Sequence, residues 1–497
     1  MTPKVPIHRL ATGVPGLDTL LGGGLPEFSF NLIAGAPGAG KTTLAHQIMF
    51  ALANPDRRAI FFTVLGEPPL KMLRYQQQFA FFDIEKVNHS IRFVNLADEV
   101  LHGDFDLVLS RILHEIEAYS PALVIVDSFR SVTLTATGHK DRIGGVEHFV
   151  QQLGLHLTSC QATTFLVGEY VYAASETNPV FTVADGLIWL SQHVIHESMV
   201  RKVEVKKMRG QASLPGLHAF RINDSGIQIF PRAIMGSSLV AALPIAAKAR
   251  PLERMALGVP RLDEMLGGGL PQGFSLLVAG PSGSGKTMLA THFLAEGARL
   301  GERGVLAAFE KSPRRALNPK LERLVDAGDV GVIDMRTLDL SVDETLHDIK
   351  QMIGRLKARR VVIDSLSGYE LALAPSDHDN FRDALYRMVA VLTEMGMTVL
   401  MTCELEDRYT DLRFSPYGAA FLTDAIIVNR YIEIDGCLKR ILAVVKVRGS
   451  AHSDELRLFN ITEEGIVVGD ALTDYEGLLS GQPSERSPAR AQSRGKQ

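Results

Sequence analysis

The chain repeats itself. The segment GVPGLDTLLGGGLPEFSFNLIAGAPGAGKTTLA at 13–45 recurs as GVPRLDEMLGGGLPQGFSLLVAGPSGSGKTMLA at 258–290, an offset of 258 − 13 = 245 residues. Further along, VIVDS at 124–128 is matched by VVIDS at 361–365, and KMRG at 207–210 by KVRG at 446–449, in the same order. Solenoid units run to roughly 20–50 residues, so a period this long means two whole domains in tandem. Length alone, 497 residues, suggests about three units; the duplication reduces that to two. The expected layout is residues 1–233 and 254–480 as domains, 234–253 as a small-residue and proline-containing linker, and 481–497 as a disordered tail, since 481–497 holds no apolar side chain larger than proline.

Within each repeat, short apolar runs at 30–34, 59–64, 123–126 and 163–167 alternate with amphipathic stretches such as 105–118. That alternation predicts an α/β fold, a mostly parallel sheet with helices on both faces. Runs at 187–190, 200–206 and 226–230 read as added antiparallel hairpin strands. Hydrophobic residues at 46% and charged residues at 22% exclude a disordered or fibrous chain. Lys plus Arg at 52 against Asp plus Glu at 56 leaves a net charge of −4, so no global positive field recruits nucleic acid. Cys160, Cys403 and Cys437 are too far apart and too few for a disulfide framework or a zinc set, which points to a reducing compartment. Cys160 and Cys403, near core strands, read as buried small hydrophobes. The first residues carry no apolar core of a signal peptide, and the run 234–247 is too short for a bilayer span of about 20 residues. The expectation is a cytoplasmic protein without a membrane segment.

Residues 35–42 (GAPGAGKT) and 280–287 (GPSGSGKT) each satisfy G-x-x-x-x-G-K-[ST] between a strand-like and a helix-like run. Such a loop turns backbone N–H groups toward phosphate oxygens at a helix N-terminus, where the dipole favours anions. The nucleotide-binding set is therefore Gly35, Pro37, Gly38, Ala39, Gly40, Lys41, Thr42 and Thr43 in the first repeat, and Gly280, Ser282, Gly283, Ser284, Gly285, Lys286, Thr287 and Met288 in the second. Lys41 and Lys286 would reach the β and γ phosphates of ATP. Thr42 and Thr287, supported by the strand-end Asp127 and Asp364, would hold Mg²⁺.

Hydrolysis also needs a carboxylate that orients water, and the residues after the strand-end aspartates are Ser128 and Ser365. The next candidates follow the strand after the first helix. Glu310 stands at that tip in the second repeat; in the first, the aligned positions are Leu65 and Gly66, and Glu67 comes one or two residues late.

Together these residues resemble the double-domain form of the KaiC family of RecA-like P-loop ATPases. The likeness rests on G-V-P-x-L-D-x-x-L-G-G-G-L-P before each phosphate loop, D-S after each metal strand and K-x-R-G near each repeat's end, over about residues 7–483. It implies tandem RecA-like P-loop domains, ATP with Mg²⁺ at two sites per chain, and a homohexamer with nucleotide between protomers. Lys207, Arg209, Lys446 and Arg448 would then act on a neighbour's γ-phosphate. Clock members of the family carry adjacent glutamates at each strand tip; here the pairs are Leu65-Gly66 and Glu310-Lys311, which favours hydrolysis in the second domain. The serine/threonine pair that clock members of the family autophosphorylate aligns with Ala420-Phe421, leaving Ser415 or Thr423 as substitutes for an autokinase. The LLSGQP run at 478–483 suggests regulation, or a signalling partner, at the C-terminal end. Two other classes stay open: a DNA-dependent motor, with TGHKDR at 137–142 lining a pore, and a nucleotide-switched signalling scaffold.

Overall fold

The computed structural model describes residues 7–64, 69–101, 105–129, 142–170, 179–195, 198–233, 253–309, 318–334, 341–373, 381–405, 422–463, 465–473, 475–477 and 484–485. The linker run 234–252, the acidic tips Glu67 and Glu310, the 137–141 run, Ser415, Ala420-Phe421, the LLSGQP run at 478–483 and the tail from 486 lie outside these residues. The chain divides into two compact units, residues 1–232 and 233–497.

The strands of the first unit are β1 (Arg9–Leu10), β2 (Leu25–Pro26), β3 (Phe30–Gly35), β4 (Ala59–Thr63), β5 (Ile91–Asn95), β6 (Leu123–Asp127), β7 (Thr163–Glu169), β8 (Gly186–Ile195), β9 (Ser198–Met208), β10 (His218–Asn223) and β11 (Gly226–Phe230). β1 and β2 pair with each other; the rest form one sheet in the order β11-β10-β9-β8-β3-β7-β6-β4-β5. From β8 through β5 the ladder is parallel, and from β8 out to β11 it is antiparallel. The parallel part is buried on both faces. Along β6, Leu123 and Ile125 enter one core while Val124 and Val126 enter the other, which explains the uninterrupted apolar run of that strand. The helix Lys41–Leu52 covers the first core, and Phe105–Tyr119 with Arg142–Ser159 cover the second.

The second unit repeats this plan. Its strands are β12 (Arg254–Met255), β13 (Leu270–Pro271), β14 (Ser275–Gly280), β15 (Gly304–Ala308), β16 (Val330–Asp334), β17 (Arg360–Asp364), β18 (Thr398–Glu404), β19 (Ala425–Ile434), β20 (Cys437–Val447), β21 (Arg457–Thr462) and β22 (Gly465–Ala471). Their order, β16-β15-β17-β18-β14-β19-β20-β21-β22, is the first sheet's order strand for strand. Two nine-stranded, mostly parallel sheets flanked by helices make this the expected tandem RecA-like fold. Local sequence signals agree with it: Ser341 accepts from the Glu344 N–H at 3.1 Å, an S-x-x-E start to the helix Val342–Leu356. Beyond β22, Ser484–Glu485 pairs antiparallel with Tyr475–Glu476.

One core expectation fails. Cys403 is buried on β18, but Cys160 is exposed. It occupies the turn after the helix Arg142–Ser159, bonded through its N–H to the His156 carbonyl, so the strand it precedes buries its neighbours instead.

Candidate nucleotide-binding sites

Each phosphate loop bridges the C-terminal end of a central parallel strand and a helix N-terminus, where ligands of open α/β sheets bind. Gly40 and Gly285 cap the helices in the left-handed region without any side-chain cap, so the first-turn N–H groups face the loop's concavity. Gly38 and Gly283 both have φ of 73°. A Cβ there would come within 2.9 Å of the Gln192 amide nitrogen or 3.0 Å of the Tyr431 hydroxyl, side-chain tips that can move aside, so it is the positive φ that calls for glycine in both loops. Gln192 and Tyr431 occupy matching places on β8 and β19, and each braces the same loop position. Gln192 Nε2 donates to the Pro37 carbonyl at 2.9 Å and Tyr431 OH to the Ser282 carbonyl at 3.3 Å. Sequence reasoning missed both.

Lys41 Nζ donates to the Ala36 carbonyl at 2.8 Å, and Lys286 Nζ to Gly280 and Pro281 carbonyls at 2.9 and 2.8 Å. Both ammoniums are therefore folded over their own loops. Burial pushes the pKa of each down, while carboxylates pull it back: Glu169 and Asp127 for Lys41, Glu404 and Asp364 for Lys286. Glu169 and Glu404 were not anticipated. They end β7 and β18 in register with Gly35 and Gly280, the first glycine of each loop. Aligning the two repeats through TTFLVGE and TVLMTCE would have found them.

The strand-end aspartates are held differently. Thr42 Oγ1 donates to Asp127 Oδ2 at 2.6 Å. Asp364, by contrast, accepts a hydrogen bond from Thr402 on β18, where the first unit has Val167. Among the described residues no three His, Cys, Asp or Glu side chains converge as a metal cage. Mg²⁺ keeps several waters and takes one or two protein ligands beside phosphate oxygens. A threonine hydroxyl backed by a carboxylate, beside uncapped helix N–H groups, is such a donor set. Ala39 and Ser284 are buried, and the Ser284 hydroxyl lies in the loop without a hydrogen-bond partner.

The K-x-R pairs lie elsewhere. Lys207 Nζ donates to Phe181 and Thr182 carbonyls at 3.3 and 3.0 Å, and Arg209 pairs with Asp185 at 3.1 Å. Lys446 Nζ donates to the Thr423 carbonyl at 2.7 Å, and Arg448 pairs with Asp424 at 3.3 Å. Asp185 and Asp424 pair through their backbones with Phe30 and Ser275, the first residues of β3 and β14. Those strands rise about 3.3 Å per residue, which puts five steps, roughly 16 Å, between the finger anchor and its own phosphate loop.

The family model described as "ATPase: KaiC" matches residues 10–234 and again 255–473. The chain belongs to the KaiC ATPase family. Among relatives of this KaiC-family chain is the circadian clock oscillator protein KaiC of Parasynechococcus marenigrum, 29% identical, with the match covering 97% of this chain and 94% of the relative. The protein of the same name from Thermosynechococcus vestitus is also 29% identical, covering 97% and 93%. The circadian clock protein KaiC3 of a Synechocystis species is 27% identical, covering 96% and 95%. No helix among the described residues is long and apolar enough to cross a membrane.

Proposed function

We propose that this KaiC-family ATPase is a cytoplasmic homohexamer that binds ATP with Mg²⁺ at both phosphate loops and hydrolyses it mainly in the second unit. The observation that carries this reading is the twofold occurrence of one constellation: Lys41, Thr42 and Asp127 in the first unit, Lys286, Thr287 and Asp364 in the second. In both, a lysine, buried in the first unit and half-buried in the second, folds over a loop of helix N-terminal N–H groups. Lys41 and Lys286 swing from their loop carbonyls onto phosphate oxygens. Thr42 and Thr287, with Asp127 and Asp364 behind them, would hold Mg²⁺, which would supply positive charge where negative charge builds during phosphoryl transfer. Glu310 orients the attacking water; a P–O bond to water forms as the bond to the β-phosphate bridge breaks, and the water's proton leaves through the carboxylate. In the first unit Leu65-Gly66 stands in that place and Glu67 is displaced, and a shift of about an ångström can cost about a hundredfold.

Distance supports the fingers acting between subunits. An arginine anchored roughly 16 Å from its own loop, five strand steps away, cannot reach its own γ-phosphate, whereas in a ring it faces a neighbour. A nucleic-acid motor is not favoured, because the chain carries a net charge of −4. For an autokinase, Thr423 is fully buried, so Ser415 is the better acceptor. A clock-related or signalling output is proposed from the relatives' names alone.

The test is turnover by the full chain with Lys41→Ala, Lys286→Ala and Glu310→Gln, with nucleotide counted per chain. The reading expects about two nucleotides per chain in the parent and near-complete loss of turnover in Lys286→Ala and Glu310→Gln. Unchanged turnover in Glu310→Gln would sink it.

A further inference from the structure

Asp185 and Asp424 stand immediately before β8 and β19. In the first unit, Oδ1 of Asp185 holds Arg209 Nη1 at 3.1 Å and Oδ2 accepts the Phe30 N–H at 3.1 Å. The backbone N–H groups of Asp185 and Arg209 donate to Phe30 and Asp185 carbonyls at 2.7 and 2.9 Å. In the second unit, Asp424 holds Arg448 Nη1 at 3.3 Å through Oδ1, and its Oδ2 accepts the Ser275 N–H at 3.0 Å and hydroxyl at 2.9 Å. Its backbone repeats the same two bonds, at 3.0 and 2.8 Å. The sequence separation is 24 residues in both units (209 − 185 and 448 − 424).

A β-bulge accompanies each pair at the same place. β9 slips register against β8 between Leu187 and Ile188, and β20 against β19 between Ile426 and Ile427, in each case beside the finger lysine. Bulges re-aim side chains and recur next to functional sites. The arginine side chains are 59% and 56% exposed, so these ion pairs contribute little to stability. Stability therefore does not account for building the same pair twice.

We propose that Asp185 and Asp424 are positioning residues for the finger arginines, each carboxylate gripping with one oxygen the guanidinium and with the other the first residue of the strand that ends in the phosphate loop. A guanidinium has five N–H donors in a fixed fork, so one edge can stay on the carboxylate while another meets a phosphate. Because β3 and β14 run from the carboxylate to the loop, finger reach toward a neighbour and the shape of the chain's own cradle are set by one strand. The inference rests on Arg209 and Arg448 acting in trans.

Asp424→Asn and Asp424→Glu in the full chain test it, with steady-state ATP turnover, binding of a fluorescent ATP analogue and thermal melting. Asp424→Asn is expected to lower kcat about tenfold to a hundredfold, the cost of a finger misplaced by about an ångström, with analogue affinity within about twofold; Asp424→Glu restores part of kcat. Unchanged kcat with a risen KM overturns the proposal. If Asp424→Asn does not fold, Ser275→Ala, which removes the hydroxyl that donates to the same carboxylate and accepts from the Asp424 N–H at 3.2 Å, is expected to lower kcat a few-fold, and no change in kcat again overturns it. Mixing Arg448→Ala with Lys286→Ala subunits separates the two layers. Regained turnover in the mixture together with full kcat in Asp424→Asn removes the aspartate's role alone; no regained turnover removes the trans finger and the positioning role with it.

Discussion

At the base of the strand that ends in Asp127 or Asp364, the first unit buries Leu123 and the second buries Arg360. The guanidinium's Nε donates to Glu302 at 2.8 Å, Nη1 donates to Ala256 and Phe293 carbonyls at 2.8 and 2.9 Å, and the group stacks 4.7 Å from the Phe293 ring centre. Its stem passes where a Cβ on Gly297 would come within 2.6 Å of Arg360 Cδ; the matching position in the first unit is Leu52. Leu52 with Leu123, and Gly297 with Arg360, are thus two solutions for the same space, one apolar and one ionic. The lesson is that duplicated backbones tolerate exchange of whole packing sets, while the loop, the strand-end aspartate and the finger aspartate are kept.

The largest expected effect tests this directly. Glu302→Ala leaves a buried guanidinium without its carboxylate and is expected to destabilise the second unit by about 3–5 kcal/mol in chemical denaturation. Arg360→Leu paired with Gly297→Leu, which installs the first unit's solution, is expected to come close to the parent. If Glu302→Ala costs as little as a surface substitution, the ionic set is not a packing unit.

Acid separates the units next. His46 is fully buried in the first unit, stacked on Phe61 at 4.5 Å, with Nδ1 against the Thr42 carbonyl at 2.9 Å; burial pushes its pKa down to about 4. The second unit has Thr291 there, bonded to the Thr287 carbonyl at 2.9 Å. An unfolded histidine takes a proton as pH falls through about 6.5, whereas folded His46 resists until about 4. Stability of the first unit is therefore intact above about 6.5 and lost as pH falls across that window, by up to about 3 kcal/mol from this group. His46→Thr is expected to lower stability at neutral pH, through a void beside Phe61, yet flatten its pH slope between 6.5 and 4. An unchanged slope in denaturant titrations would remove His46 from the account. His292 in the second unit, also pushed down by burial, accepts from the Ile466 N–H at 3.2 Å, a job Gln47 does for Ile227 in the first; it adds a smaller loss in the same direction.

How much of this was readable in advance follows from what kind of signal each residue carries. The loops, Asp127, Asp364 and the central strands sit in contiguous motifs and apolar runs, so local pattern suffices. Glu169, Glu404, Asp185 and Asp424 acquire their partners only through strand register, between residues 134 apart for Gly35 with Glu169, 124 apart for Gly280 with Glu404 and 24 apart for Asp185 with Arg209. No window shows that, although the equal spacing in both repeats is a trace of it. Arg360 was hidden because it opens an apolar run that reads as an ordinary core strand. Cys160 was misplaced because nearness to a strand in sequence says nothing about which side of the preceding turn faces inward.

A smaller effect is expected at the strand-end aspartates. Thr402→Val gives the second unit the residue of Val167 and removes a hydroxyl from buried Asp364. Losing one hydrogen bond to a charged acceptor costs about 1.5–3 kcal/mol. Because Asp364 is then free to turn toward Thr287, as Asp127 does to Thr42, the Mg²⁺ concentration for half-maximal turnover is expected to fall as global stability drops. A rise in that concentration would show that Thr402 aims the carboxylate rather than restrains it.

The smallest effect concerns the braces on the loops. Tyr431 donates to Ser282 at 3.3 Å near the surface, with Arg440 lying 5.5 Å over its ring, so Tyr431→Phe removes one long neutral bond and keeps the ring. The loss is expected at a few tenths to about 1 kcal/mol in nucleotide affinity, less than a tenfold change in Kd. Gln192→Ala in the first unit removes a shorter bond, 2.9 Å, and a rim group whose amide nitrogen approaches Gly38. It is expected to weaken first-site binding more than Tyr431→Phe weakens the second. Titrating a fluorescent ATP analogue against each variant, with the other site silenced by its lysine-to-alanine change, checks the order; the reverse order would mean that the ring, not the hydrogen bond, holds the second loop in shape.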